Sequence, residues 1–208
     1  MRKGVVKMKE IRPEVLSQKE NYKLLIGSII PRPIALVTTE SDDNVLNIAP
    51  FSFFNVVSSD PPILSIAVQR VNGEMKDTAR NIIQNKEAVV HIVDTNNVRD
   101  ANQTAAMLSH EESELERTNF EIVDSVEVSV KGLKQSKVRF EAVLYDDIVI
   151  EKDGQPISDL LLLEVKYYHF DERIYDDGYI NKEELKAVSR LAGNDYAEIG
   201  HTFTIERP

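Results

Sequence analysis

The 208 residues are enough to bury a core of their own, and 42% hydrophobic with 29% charged content is ordinary for a globular chain. The formal net charge of −10 leaves no basic excess to neutralise phosphates, which argues against a nucleic-acid partner. With no cysteine there is no disulfide framework, thiolate metal site or cysteine nucleophile, and a reducing, cytoplasmic location is expected. Met1 to Glu10 is charged and lacks a signal-peptide core. No segment reaches the ~18 consecutive apolar residues of a membrane span.

In chain order, Pro13 opens an amphipathic stretch over 13–27, expected as a helix stopped by Gly27. Ile34 to Thr38 and Val45 to Ile48 read as strands joined by a hairpin turn, Ser41-Asp42-Asp43-Asn44, in which Asn44 tolerates positive φ. A third strand, Ile63 to Val68, follows the Pro61-Pro62 break. Lys76 to Lys86 has helical composition and Ala88 to Val93 returns to strand. Residues 98–119 are expected to be helical and polar, and Val126 to Val130 alternates as a half-buried strand does. Two long strands, about 137–150 and 160–170, flank the hairpin signal Asp153-Gly154-Gln155-Pro156. Lys182 to Leu191 is expected to be helical, followed by loop. No repeat or low-complexity linker interrupts the chain, so one domain is expected over residues 1–208, with its core at about 20–200.

Antiparallel strands joined by short turns, with few helices, predict a mainly β (α+β) fold of the barrel kind. None of the eight glycines forms G-x-G, so the dinucleotide fingerprint and the P-loop are absent. The four histidines, His91, His110, His169 and His201, share no metal-ligand spacing, and no metal is expected. Ser109-His110-Glu111 lacks a nucleophile-elbow context, which argues against a hydrolase.

The densest signal lies between Gly27 and Asn81. It contains Pro31-Arg32-Pro33, then Asn47-Ile48-Ala49-Pro50-Phe51-Ser52-Phe53-Phe54-Asn55, and then Arg70 to Gly73 with Lys76-Asp77-Thr78. Small, amide and hydroxyl residues between strands let backbone approach a flat ligand, and Lys with Thr suits a phosphate. In order and spacing these residues resemble the flavin reductase-like family of FMN-binding split-barrel proteins. The likeness returns at Arg190-Leu191-Ala192-Gly193-Asn194-Asp195-Tyr196. It implies a split β-barrel with peripheral helices and FMN as cofactor. Asn47, Ile48, Ala49, Pro50, Ser52, Phe53 and Asn55 would lie at the ring, and Arg70, Lys76 and Thr78 at the phosphate. Lys76 and Thr78 are the sharpest of the phosphate candidates, Arg32 and Arg70 are second-tier ones, and Asp77 is expected to cap or to pair with a cation. Of Phe51, Phe53 and Phe54, no more than one or two are expected to touch the ring, because strand side chains alternate.

His169, Arg190 and Tyr196 are the candidates for facing substrate. His169 has an equal claim as a partly buried strand histidine, and Tyr196 either folds back over its own barrel or crosses from a second subunit. Where the family places Cys after the position of Glu141, this chain has Ala142, which removes any thiol role.

The resemblance implies an NAD(P)H:flavin oxidoreductase that passes electrons to a small-molecule or protein acceptor and forms a homodimer, with no side-chain acid or base strictly required for hydride transfer. The alternative is an FMN-binding electron carrier or ligand-binding protein without efficient NAD(P)H turnover. A pyridoxamine-phosphate oxidase-like enzyme shares the barrel but has no support from these motifs.

Overall fold

The structure is a computed structural model and describes residues 7–208. The expectation of a charged, leaderless Met1 to Glu10 therefore rests partly on residues 1–6, which lie outside the described set. A short 3₁₀ turn, Pro13–Val15, precedes α1 (Gln18–Ser28). The first strands are β1 (Arg32–Pro33), β2 (Ala35–Glu40), β3 (Leu46–Phe51), β4 (Phe54–Ser59) and β5 (Pro62–Gln69). Next come α2 (Asp77–Asn85), β6 (Glu87–Ile92), α3 (Val98–Gln103) and a 3₁₀ turn at Glu114–Arg117. After the short β7 (Ile122–Val123) and β8 (Gly132–Leu133) run the long β9 (Val138–Lys152) and β10 (Gln155–Phe170). The chain closes with β11 (Tyr175–Asp176), β12 (Tyr179–Ile180), α4 (Lys182–Leu185), β13 (Val188–Arg190) and β14 (Tyr196–Glu198). Among the described residues no helix is long and apolar enough to cross a membrane.

Seven strands form one sheet in the order β3-β2-β6-β9-β10-β5-β4, with every pairing antiparallel. Its two edge strands are consecutive in sequence, separated only by Ser52 and Phe53. Three Cα–Cα steps reach roughly 11 Å at most, so the sheet must curl until its edges meet there. The result is a barrel split between β3 and β4.

Alternation builds the interior. Ala35 and Val37 of β2 point inward with Ile66, Val68, Val90, Leu161 and Leu163, and Ala79 and Ile82 of α2 pack into the same cluster. Leu36 and Ile48 point outward into a second cluster with Val93, Phe120, Leu133 and Val188. Strand β2 is therefore buried on both faces, which explains its unbroken apolar and threonine run.

Local chemistry sets the boundaries. Ser17 and Glu20 form a reciprocal capping box at the start of α1. Gly27 lies inside that helix rather than stopping it, and Pro31 and Pro33 follow its end. Asn44, at φ 60°, makes the β2–β3 turn, and Asp153 and Gly154, at φ 54° and 73°, turn β9 into β10.

Three sequence expectations fail for visible reasons. Val126 to Val130 is not a strand, because the N–H groups of Val126, Glu127 and Val128 donate to the buried Glu141 carboxylate instead of a ladder. Residues 98–119 are not one helix. Only Val98–Gln103 is α-helical, and the rest packs along β3, with Ser113 Oγ donating to Leu46 O at 2.5 Å. The helix expected over Lys182 to Leu191 ends at Leu185, where Lys186 adopts φ 54° and the following residues become a strand against β1. Strand β4 carries no periodic signal and was not expected.

His91 is fully buried on β6. Its Nδ1 donates to Leu36 O at 2.8 Å, and its Nε2 accepts the Leu133 N–H at 2.9 Å, which fixes a neutral ring in one tautomer. Burial pushes its pKa down to about 3. An unfolded histidine titrates near ~6.5, so below that pH the unfolded chain takes up a proton that folded His91 refuses. Stability should therefore fall as pH drops from about 6.5 towards 3, by about 1.4 kcal/mol per unit for this group. In urea melts at about pH 7 and 4.5, His91→Gln should lose about 2.5 kcal/mol less than the native chain on acidification. Equal losses would show that His91 does not carry the effect.

Candidate functional site

The edge strand β3 is the floor of the site. Pro50 is tolerated there because an edge strand need not donate every N–H. Asn47 Nδ2 donates to Thr78 Oγ1 at 2.8 Å and to Thr39 Oγ1 at 3.3 Å, and Asn81 Nδ2 donates to Thr39 Oγ1 at 3.2 Å. This buried amide–hydroxyl cluster pins the start of α2 against β3 and β2.

Helix α2 begins with Lys76 in extended conformation at its N-cap, and no side chain caps it. The first-turn N–H groups of Asp77, Thr78 and Ala79 thus present the positive end of a nine-residue helix. Lys76 is exposed beside them. Asp77 is taken up by Arg80 and by His110, whose Nδ1 lies 2.5 Å from its carboxylate.

These groups open onto a cleft of about 310 Å³. One wall is Asn47, Ala49, Pro50 and Phe51, and another is Met75 to Thr78. Opposite them, Thr104 to Leu108 and Glu114 complete the enclosure. A recess of about 160 Å³ shares Pro50, Phe51 and Ala105 with the cleft, and adds Ser52, Asn102, Arg190 and Tyr196. Together they form a trough with a cationic, N–H-rich end, apolar walls and an aromatic far end.

The far end is built by the C-terminal segment of the same chain. Strand β13 pairs with β1, placing Arg190 opposite Arg32, and β14 pairs with β13. Arg32, 6% exposed, holds the junction. Its Nη1 donates to Ile26 O at 2.7 Å and Ile29 O at 2.6 Å, its Nη2 to Leu191 O at 2.9 Å, and its Nε to Ser52 Oγ at 3.4 Å. The guanidinium of Arg190 lies 4.4 Å from the Tyr196 ring centroid, and Tyr196 Oη donates to Asn102 Oδ1 at 2.8 Å. Tyr196 thus reaches the trough by folding back, without a second subunit. Arg32 is a strut for backbone carbonyls, not a free phosphate ligand.

Of the residues singled out in the sequence, Asn47, Ala49, Pro50, Ser52, Lys76, Thr78, Arg190 and Tyr196 line this trough. Five do not. The Ile48 side chain points into the outer core, although its N–H faces the loop wall. Phe53 uses its carbonyl to accept the Ala67 N–H, and the Asn55 side chain accepts the Val56 N–H on the exposed β4. Arg70 is committed to the buried Asp159, with Nη2 at 2.7 Å and Nε at 3.0 Å. His169 Nε2 lies 2.5 Å from Glu141 Oε1 on the outer barrel face. Burial alone would raise the Glu141 carboxyl, but the bonds from His169, Glu127, Val126 and Val128 outweigh it and hold the group below the usual range.

Three contributors had no sequence signal: Asn102, the Thr104–Leu108 loop and Glu114, all within a stretch whose polarity read as helix. Glu114 is 7% exposed and accepts the Ile48 N–H through Oε2 at 2.8 Å. Burial lifts its carboxyl above the usual range, against the opposing effect of that bond.

Comparison with known proteins agrees with this geometry. The model of the flavin reductase like domain matches residues 26–185. The uncharacterized protein YwrF of Bacillus subtilis is 54% identical over 93% of this chain and 96% of its own length. The crystal structure of nitrilotriacetate monooxygenase component B from Bacillus cereus superposes with a TM-score of 0.94 at 45% identity, covering 96% of this chain and 99% of that one. A split-barrel domain protein of Shewanella frigidimarina gives a TM-score of 0.81 at 17% identity, over 94% of this chain and 96% of that one, a likeness that concerns the fold alone. The barrel split beside β3, the trough at that split and the match across most of the chain identify this protein as a member of the flavin reductase-like family of split-barrel flavin oxidoreductases.

Proposed function

We propose that the chain is an FMN-dependent NAD(P)H:flavin oxidoreductase with its flavin in the trough along β3. The observation that carries this reading is the union, in one cleft, of an uncapped helix N-terminus and Lys76 with the apolar wall Ala49-Pro50-Phe51. A phosphorylated planar ring needs this donor set. The phosphate takes helix N–H groups and a cation, and the ring takes apolar faces with backbone at its edge. When bound, FMN supplies the redox chemistry, accepting a hydride from NADH or NADPH and returning the electrons to an acceptor.

The residues of the chain bind and orient. Lys76 and the first turn of α2 hold the phosphate. Thr78, with its Oγ1 accepting from Asn47, keeps that turn seated on the barrel. Ala49, Pro50 and Ser52 present small side chains, so that backbone meets the ring edge. Tyr196 and Arg190 bound the end left for the nicotinamide nucleotide, and no side-chain proton donor is assigned to the transfer. Nitrilotriacetate monooxygenase component B, named as one component of a monooxygenase, supports a partner protein as the acceptor.

We also propose a homodimer. Edge strand β4 exposes Val56 and Val57 (68% and 54%), α1 exposes Leu24 and Leu25, and Ile29 and Ile30 are exposed just beyond its end, surfaces that a second copy would cover. Because Tyr196 folds back within its own chain, this dimer would shield the barrel without having to complete the trough.

Lys76→Ala should weaken FMN by about ten- to a hundredfold and leave riboflavin nearly unchanged, as expected for one charge-assisted contact of roughly 1.5–3 kcal/mol. Fluorescence titration with both flavins reads this directly, and equal weakening of the two, or of neither, would overturn the phosphate assignment. Light scattering should give twice the 23.6 kDa chain mass. A flavin-loaded species of single-chain mass would rule out the dimer.

A further inference from the structure

We propose that Glu114 sets how tightly the cleft holds a phosphorylated flavin, its carboxylate standing in the same wall space as the phosphate and opposing it. The inference rests on the flavin reading above.

Glu114 is the buried carboxylate of the cleft lining, 7% exposed, and it shares that lining with Lys76 and Thr78. Its place is fixed from a distant part of the chain. Oε2 accepts the Ile48 N–H at 2.8 Å, and the adjacent Ser113 Oγ donates to Leu46 O at 2.5 Å, so the 3₁₀ turn at Glu114–Arg117 is fastened to β3. Lys76 and Asp77 face the cleft from the start of α2, Glu74 from the turn before it and His110 from the loop, and Arg117 acts from the carboxylate's own turn.

A carboxylate this buried resists ionisation. Burial raises its affinity for a proton and Asp77 adds to that, while the Ile48 bond and Arg117 act the other way. In acid it is neutral and adds no charge of its own against a phosphate held by Lys76 and the α2 terminus. Once ionised, it places a poorly screened negative charge in the same enclosure, and repulsion at this range is little weakened by salt. The chain thus carries both a clamp and a brake for the phosphate, an arrangement suited to a flavin that exchanges rather than one held permanently.

The test compares FMN with riboflavin, because a loss of wall structure affects both flavins and a charge effect only the phosphorylated one. Glu114→Gln keeps an oxygen to accept the Ile48 N–H but cannot ionise. At about pH 8 it should raise the preference for FMN over riboflavin by about tenfold or more, the size expected for one unit charge at roughly 10 Å in a partly buried site. The gain should shrink in acid, as the carboxyl, raised by burial, takes up its proton. The phosphate's own ionisation near ~6 is common to both chains and cancels. Glu114→Ala, which also drops the bond, should shift the ratio in the same direction, so the proposal does not depend on one variant folding. An unchanged ratio at pH 8 while Lys76→Ala still weakens FMN selectively would overturn the role of Glu114 and leave the flavin reading standing. If Lys76→Ala also fails to discriminate, both readings fall.

Discussion

Only Ser52 and Phe53 separate β3 from β4, although these strands are the opposite edges of a seven-stranded sheet. That short link makes the sheet close on itself and places the opening of the barrel at the Asn47–Ser52 segment. The rest of the site follows from it. An edge strand has backbone groups free on one side, and here they are shared between a protein wall and a ligand space. Glu114 takes the Ile48 N–H, and Ala49 and Pro50 are left facing the cleft. Helix α2 packs its Ala79 and Ile82 into the barrel core, which sets its N-terminus over the same strand. A ligand that wants an apolar floor and an anion-binding end meets both within one cleft, because one strand carries the floor and braces the helix.

Buried polar groups fix this arrangement more sharply than apolar packing could. An amide or guanidinium without partners in the interior costs several times what its hydrogen bonds contribute net, so each such residue admits few geometries. Arg32 satisfies itself on the carbonyls of Ile26, Ile29 and Leu191, thereby tying α1 and the C-terminal segment to β1. Asn47 joins Thr78 and Thr39, His91 joins β2 to β8, and Glu141 gathers the Val126–Val128 loop. Apart from the bonds to Ile26, Ile29 and Thr39, each of these contacts links segments at least 13 residues apart. They act as register marks for a barrel whose apolar interior would tolerate other alignments.

Much of the fold was legible because it is written locally. The β2–β3 and β9–β10 hairpins announce themselves through Asn44 and Asp153-Gly154, residues that accept positive φ where the turn demands it. Most of the trough was legible as well, since Asn47 to Ser52 and Lys76 to Thr78 are short segments of unusual composition. What escaped is non-local. Glu141 withdraws three N–H groups from a segment that alternates like a strand, and no property of Val126 to Val130 itself records this. The Glu114 wall was hidden because its polarity suits a solvated helix equally well. Arg70 reads as a phosphate candidate and His169 equally as a substrate-facing or a strand histidine until their partners, Asp159 and Glu141, are found 89 and 28 residues away. Charge pairing across the barrel cannot be read from spacing along the chain.

The central claim is that this trough hosts flavin reduction by a nicotinamide nucleotide, and the direct measurement is anaerobic. Protein loaded with FMN is mixed with NADH and, separately, with NADPH while the absorbance of the oxidised flavin is followed. The account predicts that the oxidised band disappears within seconds to minutes with at least one nucleotide, and that the Lys76→Ala chain needs more FMN to show it. A band that survives both nucleotides yet is bleached by dithionite would contradict it, and would make the protein a flavin-binding carrier rather than a reductase.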